Sequence, residues 1–269
     1  MKNLLLLLPA IAMAAFPACK PKTASDHSGT AAPDTLQYEL RTFTKQHCVQ
    51  ADACADFSVI YPLFSGKNSG LANAVNQAVQ ARICMGLQAN PGLPFEVALD
   101  SAGKALVDAF LEDHRQRPDL NMGYLSQVTG NVLLDNDKIV TVRLDFASFT
   151  GGAHPNSAVA VLSFDLANGG RELKAADLLR DTMLVLPLLE KAYKNAKGLP
   201  ENADIGELLL TENKKLPLPA NVGVLPEGLL FAYGDYEVAP HAVGPADLIL
   251  TWEELGASID REKLIDVSH

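Results

Sequence analysis

The sequence predicts an α+β fold: an antiparallel sheet with helices packed mainly on one face, in two consecutive sub-domains. Two periodicities, kept in separate runs, carry that prediction. Leu71, Val75, Val79, Ile83 and Leu87 recur every four residues, as one stripe of a helix requires. Val140, Val142, Leu144 and Phe146 recur every two, as one face of a strand requires. The turn signals Asp135-Asn136-Asp137 and Asn168-Gly169-Gly170 lie between strand-like segments and favour antiparallel neighbours over long parallel crossovers.

Taken in order, the folded part opens near Leu36, where Leu36, Tyr38 and Leu40 alternate with polar residues, and a second strand holds Phe57, Val59 and Tyr61 before Pro62. Ser69 offers an N-cap for the helix of the Leu71 stripe. A second helix is expected over residues 101–117, with Leu106, Val107, Phe110, Leu111 and His114 on one stripe and Pro118 just beyond its end. Residues 128–134 and 139–149 then form a hairpin whose second strand opposes its apolar face with Thr141, Arg143 and Asp145, a face either wet or covered. Residues 157–165 resume the period of two after a break at Gly151-Gly152-Ala153-His154-Pro155. Residues 181–197 are helical in pattern, with Pro187 implying a kink or a start, and residues 204–212 suggest a short helix. Residues 221–225 and 229–233 flank a Pro226-Glu227-Gly228 turn, and residues 248–250 add a strand. Thr251 with Glu254 fits a capping box for a last helix over residues 252–258, where Trp252 is expected to pack on the sheet and Glu253 and Glu254 oppose the helix dipole.

The first residues address the chain. Lys2 precedes an apolar run over residues 4–15, too short for a bilayer span and interrupted by Pro9, so residues 1–18 read as a signal peptide. Phe16-Pro17-Ala18-Cys19 resembles a bacterial lipobox, which makes Cys19 the expected lipidation site of an exported, membrane-anchored lipoprotein, periplasmic or at the cell surface. Lys20-Pro21-Lys22 lacks the acidic residue that alters lipoprotein sorting, which favours the outer membrane where one exists. Up to residue 35 the composition is that of a tether, which as a flexible coil holds the folded body on the order of 20 to 25 Å from its anchor. The expected organisation is therefore signal 1–18, lipidated Cys19 and tether 19–35, an N-terminal part 36–157 and a C-terminal part 158–269.

The formal charge of −10 is spread along the chain, which disfavours nucleic acid as a partner and favours basic ones. In an oxidising compartment Cys48 and Cys54, six residues apart, are the expected disulfide, with Cys84 packing as a small apolar side chain or pairing with either of them. No thiolate cluster has zinc spacing, and Asp135-Asn136-Asp137 lacks the glycine and terminal Glu of a calcium loop, so neither metal nor other cofactor is implied.

Two places concentrate chemistry. The glycine pair before His154 either aims an imidazole from the sheet edge or makes a tight turn that His154 fixes. Asp235, Tyr236, Glu237 and His241 gather carboxylates, a phenol and an imidazole in seven residues, in a segment whose Pro240, Gly244 and Pro245 suggest an irregular loop. These five are the candidate ligand-binding residues; no nucleophile motif accompanies them.

Several segments occur in a recognisable order: Tyr61-Pro62, Val75-Asn76-Gln77-Ala78-Val79, Thr150-Gly151-Gly152-Ala153-His154, Phe164-Asp165-Leu166, Gly228-Leu229-Leu230-Phe231, and the stretch from Tyr236 to Gly244. Together they resemble the extracytoplasmic domain family of unknown function found in RsiV-like anti-sigma factors and ahead of the catalytic domain of some peptidoglycan deacetylases. The resemblance implies the two-part α+β domain and a receptor role, with lysozyme as ligand in RsiV-like relatives. The chain lacks a sigma-binding segment and the deacetylase metal motif, and His241 stands where relatives usually carry an aromatic residue. The expectation is a non-catalytic module that recognises a lysozyme-like protein or peptidoglycan; the alternative is a cell-wall hydrolase using His154 and the 235–241 loop.

Overall fold

In the computed structural model, residues 36–51, 53–118 and 122–259 are described; the stretches expected to be signal peptide and tether, Cys19 included, lie outside them. The elements run β1 (Gln37–Gln50), β2 (Ala53–Ser65), α1 (Ser69–Gly86), α2 (Phe95–Gln116), β3 (Tyr124–Asp135), β4 (Ile139–Phe149), β5 (Asn156–Asp165) and β6 (Arg171–Leu173). After them come α3 (Ala175–Leu178), α4 (Thr182–Ala196), β7 (Asn221–Val224), β8 (Gly228–Tyr233), β9 (Ala246–Thr251) and α5 (Trp252–Leu255). Strands β1 to β6 form one sheet in sequence order and β7 to β9 a second. The residue 157/158 boundary falls inside β5, which pairs with β4 in the larger sheet.

The α+β prediction holds, with one departure in pairing. Every neighbouring pair is antiparallel except β2 and β3, which run parallel because α1 and α2 intervene and carry the chain back to the starting end of the sheet. Helix α1 supplies Val75, Val79 and Ile83 to a core with Val59, Val140, Val142, Leu144, Leu162 and Phe164, so the period-two face of β4 meets the period-four stripe of α1. Each such side chain fully buried contributes about 1.5 to 3 kcal/mol of transfer free energy. The second sheet rests Leu229, Phe231 and Tyr233 of β8 against Val185, Leu189 and Tyr193 of α4. Its other face packs on the larger sheet, where Leu230 and Ala232 join Val161. The layers are thus helices, large sheet, small sheet, helix.

The two sheets meet closely and through polar groups. A Cβ on Gly223 would come 2.3 Å from Val161 Cγ1, so only glycine lets β7 lie this near β5. Beside it, fully buried Ser163 accepts a hydrogen bond from the Val224 N–H at 3.0 Å and shares another with Thr141 Oγ1 at 2.8 Å. The Val161 N–H donates to Asn221 Oδ1 at 3.2 Å.

Several local expectations are corrected. Asn68 rather than Ser69 caps α1, its Oδ1 accepting from the Leu71 N–H at 3.1 Å. Helix α2 begins at Phe95, not near residue 101, because Pro94 supplies a suitable φ of −54° just ahead of it and Glu96 fits its first turn. Burial, together with the hydrogen bond it donates to Glu96 Oε1 at 2.9 Å, pushes the pKa of the Tyr61 hydroxyl up to about 12. Helix α4 starts at Thr182, five residues ahead of Pro187, which lies inside it, and residues 204–212 keep only a single 3-10 turn, Gly206–Leu208. Tyr38 and Leu40 do not face a core: they are 43% and 55% exposed, because β1 is the edge strand and only its other face is covered, by α2. The cysteines agree with the expectation: Cys48 and Cys54 are bonded directly across the β1–β2 hairpin, and Cys84 is buried and free.

Ser163→Ala removes the partner of a buried N–H and is expected to destabilise by about 1 to 3 kcal/mol. A thermal melt checks this, with each kcal/mol lowering the midpoint by about 2 to 4 °C.

Candidate functional site

The β4–β5 turn and the β8–β9 connection meet at one end of the two sheets. In the turn, Gly151 and Gly152 take φ of +102° and +116°, conformations that favour glycine, and the chain swings His154 toward the connection. The connection leaves β8 after Tyr233, whose hydroxyl donates to the Pro217 carbonyl at 2.7 Å. Glu237 Oε2 accepts from the Gly234 N–H at 2.7 Å and closes a tight loop in which Tyr236 sits at φ +60°. For a non-glycine residue that is left-handed backbone, held here because Val238 and Ala239 are buried just beyond it. At the far end Lys197, which follows α4, donates to the carbonyls of Val243, Gly244 and Pro245 at 2.7, 3.0 and 2.9 Å. Burial lowers the pKa of this ammonium, and its three acceptors pin the loop to the helix end.

Four of the five candidate residues converge. The His154 and His241 rings stack with centroids 4.2 Å apart and planes 7° apart, and the Tyr236 ring lies beside both at 6.1 and 5.8 Å. Imidazole His154 holds the Pro155 carbonyl through Nδ1 at 3.0 Å and the Tyr236 hydroxyl through Nε2 at 3.2 Å. A carbonyl only accepts, so Nδ1 carries the proton, and in the neutral ring Nε2 accepts from Tyr236. His241 Nδ1 lies 2.6 Å from Asp235 Oδ2, and this carboxylate side chain is only 2% exposed. Among the described residues Asp235 Oδ1 has no hydrogen-bond partner. Glu237 does not join the rings; its carboxylate serves the Gly234 turn.

Alternation in an extended strand would have set Tyr236 opposite Asp235, but the left-handed Tyr236 turns the chain and brings both to His241. Among the described residues no three His, Cys, Asp or Glu side chains converge as a metal would require. The parallel His rings also keep their in-plane lone pairs from meeting at one point. What the group offers is a carboxylate–imidazole pair with a half-exposed ring, capable of proton exchange, and a flat aromatic surface.

Asp235 also belongs to a cleft of about 450 Å3 where the smaller sheet stops short and leaves part of the larger one uncovered. Its floor is the outward face of β3, β4 and β5, with Gln127, Thr129, Arg143, Asp145 and Ser157. Gly234, Asp235, Pro245 and Asp247 form its wall. Arg143 spans floor and wall: Nε meets both Asp145 oxygens at 2.9 and 3.0 Å, and Nη1 donates to Asp247 Oδ2 at 2.6 Å. Burial alone would lower the Arg143 pKa, but the two carboxylates outweigh it and raise the value. Three aspartates against one arginine leave the cleft acidic. The outward polar face of β4 was legible in the alternation of Thr141, Arg143 and Asp145. Gln127, Thr129 and Ser157 lie on neighbouring strands of the floor and were not singled out, and Asp247 carried no local signal, because this part of the wall comes from a strand a hundred residues from β4.

The fold and site define a two-sheet α+β scaffold, and known proteins share it. Residues 48–157 match the family model described as deacetylase PdaC, and residues 176–253 the one described as a protein of unknown function, DUF3298. The two matched stretches follow one another along the chain and are consistent with the family that the sequence resembles. Two solved structures share the fold. A DUF3298 family member from Bacteroides fragilis is 17% identical with a TM-score of 0.67, over 85% of this chain and 95% of that one. A DUF3298 family protein from Pseudomonas aeruginosa is 16% identical with a TM-score of 0.57, over 87% and 98%. No curated protein matches.

His241→Ala strips the partner from a buried carboxylate and is expected to cost about 1 to 3 kcal/mol, with Asp235→Asn costing less because no charge is left behind. Urea unfolding midpoints of the two variants at neutral pH check the order.

Proposed function

We propose that the protein is an exported, lipid-anchored envelope protein whose folded body recognises its ligand without catalysis, in the cleft between the two sheets. The observation that carries this reading is the cleft itself, about 450 Å3, built from rigid strands on its floor and lined by Asp145, Asp235 and Asp247. An acidic cleft on a chain of net charge −10 favours a ligand that presents a basic group. A basic protein of the lysozyme kind, or an amine-bearing peptidoglycan fragment, meets that demand, and the family resemblance points the same way. Cys19 would hold the body at the membrane, with the tether giving it reach. Purified protein titrated with lysozyme and with peptidoglycan fragments is expected to give saturable binding to at least one. Ser157 is exposed on the cleft floor, so Ser157→Trp fills the space without disturbing the core. That variant is expected to weaken binding at least about tenfold, a loss of roughly 1.4 kcal/mol. Unchanged affinity places the ligand elsewhere.

The Asp235–His241 pair and its stacked His154 favour a second reading, hydrolysis of a cell-wall bond with His241 as acid–base group. The two readings separate in one assay. Recognition alone predicts that peptidoglycan incubated with the protein releases no new reducing ends or amines. Hydrolysis predicts release, and its loss in His241→Asn.

A further inference from the structure

Strand β1 is fourteen residues long, stands at the edge of the six-stranded sheet and, among the described residues, pairs with β2 alone. No described residue makes a backbone hydrogen bond to its outer side. Long bare edges invite another strand, and proteins commonly break them with a bulge, a proline, a covering element or charged side chains; β1 carries Glu39, Arg41 and Lys45, so a strand that pairs with it has to complement those charges. The register with β2 is regular from Gln37 to Cys48, with a shift only between Cys48 and Gln50, and no proline interrupts it. Cys48 and Cys54 are opposed at a Cα separation of 4.0 Å, which marks a narrow, non-hydrogen-bonded site of the antiparallel ladder. Alternate residues from that point, Gln46, Thr44, Thr42, Leu40 and Tyr38, therefore turn their N–H and C=O groups away from β2, toward the open edge.

We infer that this edge pairs with the β1 edge of a second copy, antiparallel about a two-fold axis at Thr42, joining two six-stranded sheets into one of twelve. The charges choose the partner and the register. Residues directly opposite share a face, so a two-fold normal to the sheet passes through a residue, and each choice of residue sets one pattern. Within one copy Glu39 already pairs with Arg41 at 2.6 Å and Lys45 with Asp100 at 2.6 Å; with the axis at Thr42, Glu39 stands opposite Lys45 twice and Arg41 opposite the Phe43 ring twice, which joins these ion pairs across the ladder with no like-charge contact. Leu40, 55% exposed, gains Thr44 of the other copy, and Tyr38, 43% exposed, gains Gln46. Moving the axis to Phe43 sets Arg41 against Lys45, a like-charge clash, and moving it to Arg41 sets Glu39 against Phe43 and leaves Lys45 facing Gln37. An axis at Leu40 keeps a Glu39–Arg41 pair but shortens the overlap and wastes Lys45. Pairing about Thr42 engages residues 37–47, roughly 36 Å of ladder. A self-complementary strand of this kind suits a closed, isologous dimer rather than an open chain of copies. It also lies on a different edge from the cleft, so it leaves ligand recognition untouched.

The register makes the inference testable in the full chain. Thr42→Cys puts a thiol on the axis, opposite its own copy, and mild oxidation is expected to yield a disulfide-linked 42–42 peptide found by mass spectrometry. Thr44→Cys faces residue 40 of the other copy and is expected to stay unlinked, while Leu40→Cys combined with Thr44→Cys links 40 to 44. Sedimentation of the unmodified chain is expected to show a dimer, and Lys45→Glu to shift it toward monomer, since Glu39 then faces a second carboxylate, whereas Asp100→Asn, which removes the same intrachain ion pair, is expected to leave the dimer in place. Equal linking of Thr42→Cys and Thr44→Cys, or linking only through the Cys19 region, reports non-specific assembly through the N-terminus and overturns the pairing. A monomer with no 42–42 link overturns it as well, including the case in which an extended peptide from another protein takes the edge.

Discussion

The rest of the structure depends on the polar seam between the two sheets. A sheet that covers another usually does so with interdigitating apolar side chains about 10 Å apart. Here Gly223 lets β7 sit against Val161, and beside it run two buried hydrogen bonds, Val224 N–H to Ser163 and Thr141 with Ser163, and a part-buried one from the Val161 N–H to Asn221. Each bond adds only about 1 kcal/mol net, but an orphaned buried group costs about 1 to 3, so the seam fixes register more strongly than it adds stability. The seam locates everything that follows. Because β7 lies on β5 in one register, β8 and β9 end where they do, and the β8–β9 connection falls beside the β4–β5 turn.

From that placement the site assembles without needing a ligand to shape it. Lys197 ties one end of the connection to α4, buried Val238 and Ala239 hold its middle, and Glu237 closes its first turn. Tyr236 is left in a left-handed conformation that puts its ring against His154 and His241. Arg143 adds a bridge across the cleft, from Asp145 on the floor to Asp247 on the wall. A guanidinium held by two carboxylates is well suited to this role, since its planar donors fix both partners at once. A floor built from the strands β3, β4 and β5 is already ordered, so a ligand bound there as proposed costs little chain entropy.

Much of this was legible in the sequence, and the failures have physical causes. The period of four in Val75, Val79 and Ile83 and the period of two in Val140, Val142 and Leu144 named the main core correctly, because both faces are buried against each other. Thr251 and Glu254 announced a capping box that the structure contains. Tyr38 and Leu40 misled because alternation records which face a residue takes, not whether anything covers that face. The start of α2 was missed because Pro94 and Glu96 signal a helix only when read together. For the site, the types at His154 and over 235–241 were visible, but their meeting depends on a left-handed tyrosine and on the seam, neither of which any local pattern encodes. The cleft floor was visible as the polar side of β4, while its wall at Asp247 lies across a long-range contact.

If the seam is what holds the two sheets in register, the amides that cross it should open only when the whole domain unfolds. Native-state hydrogen exchange of Val161 and Val224, followed against low concentrations of urea, tests this most directly. The account predicts that both merge with the slowest amides of β4 into one global opening. Exchange of Val224 through a separate, low-energy opening while β4 stays protected would contradict it, and would mean that the smaller sheet lifts from the larger one on its own.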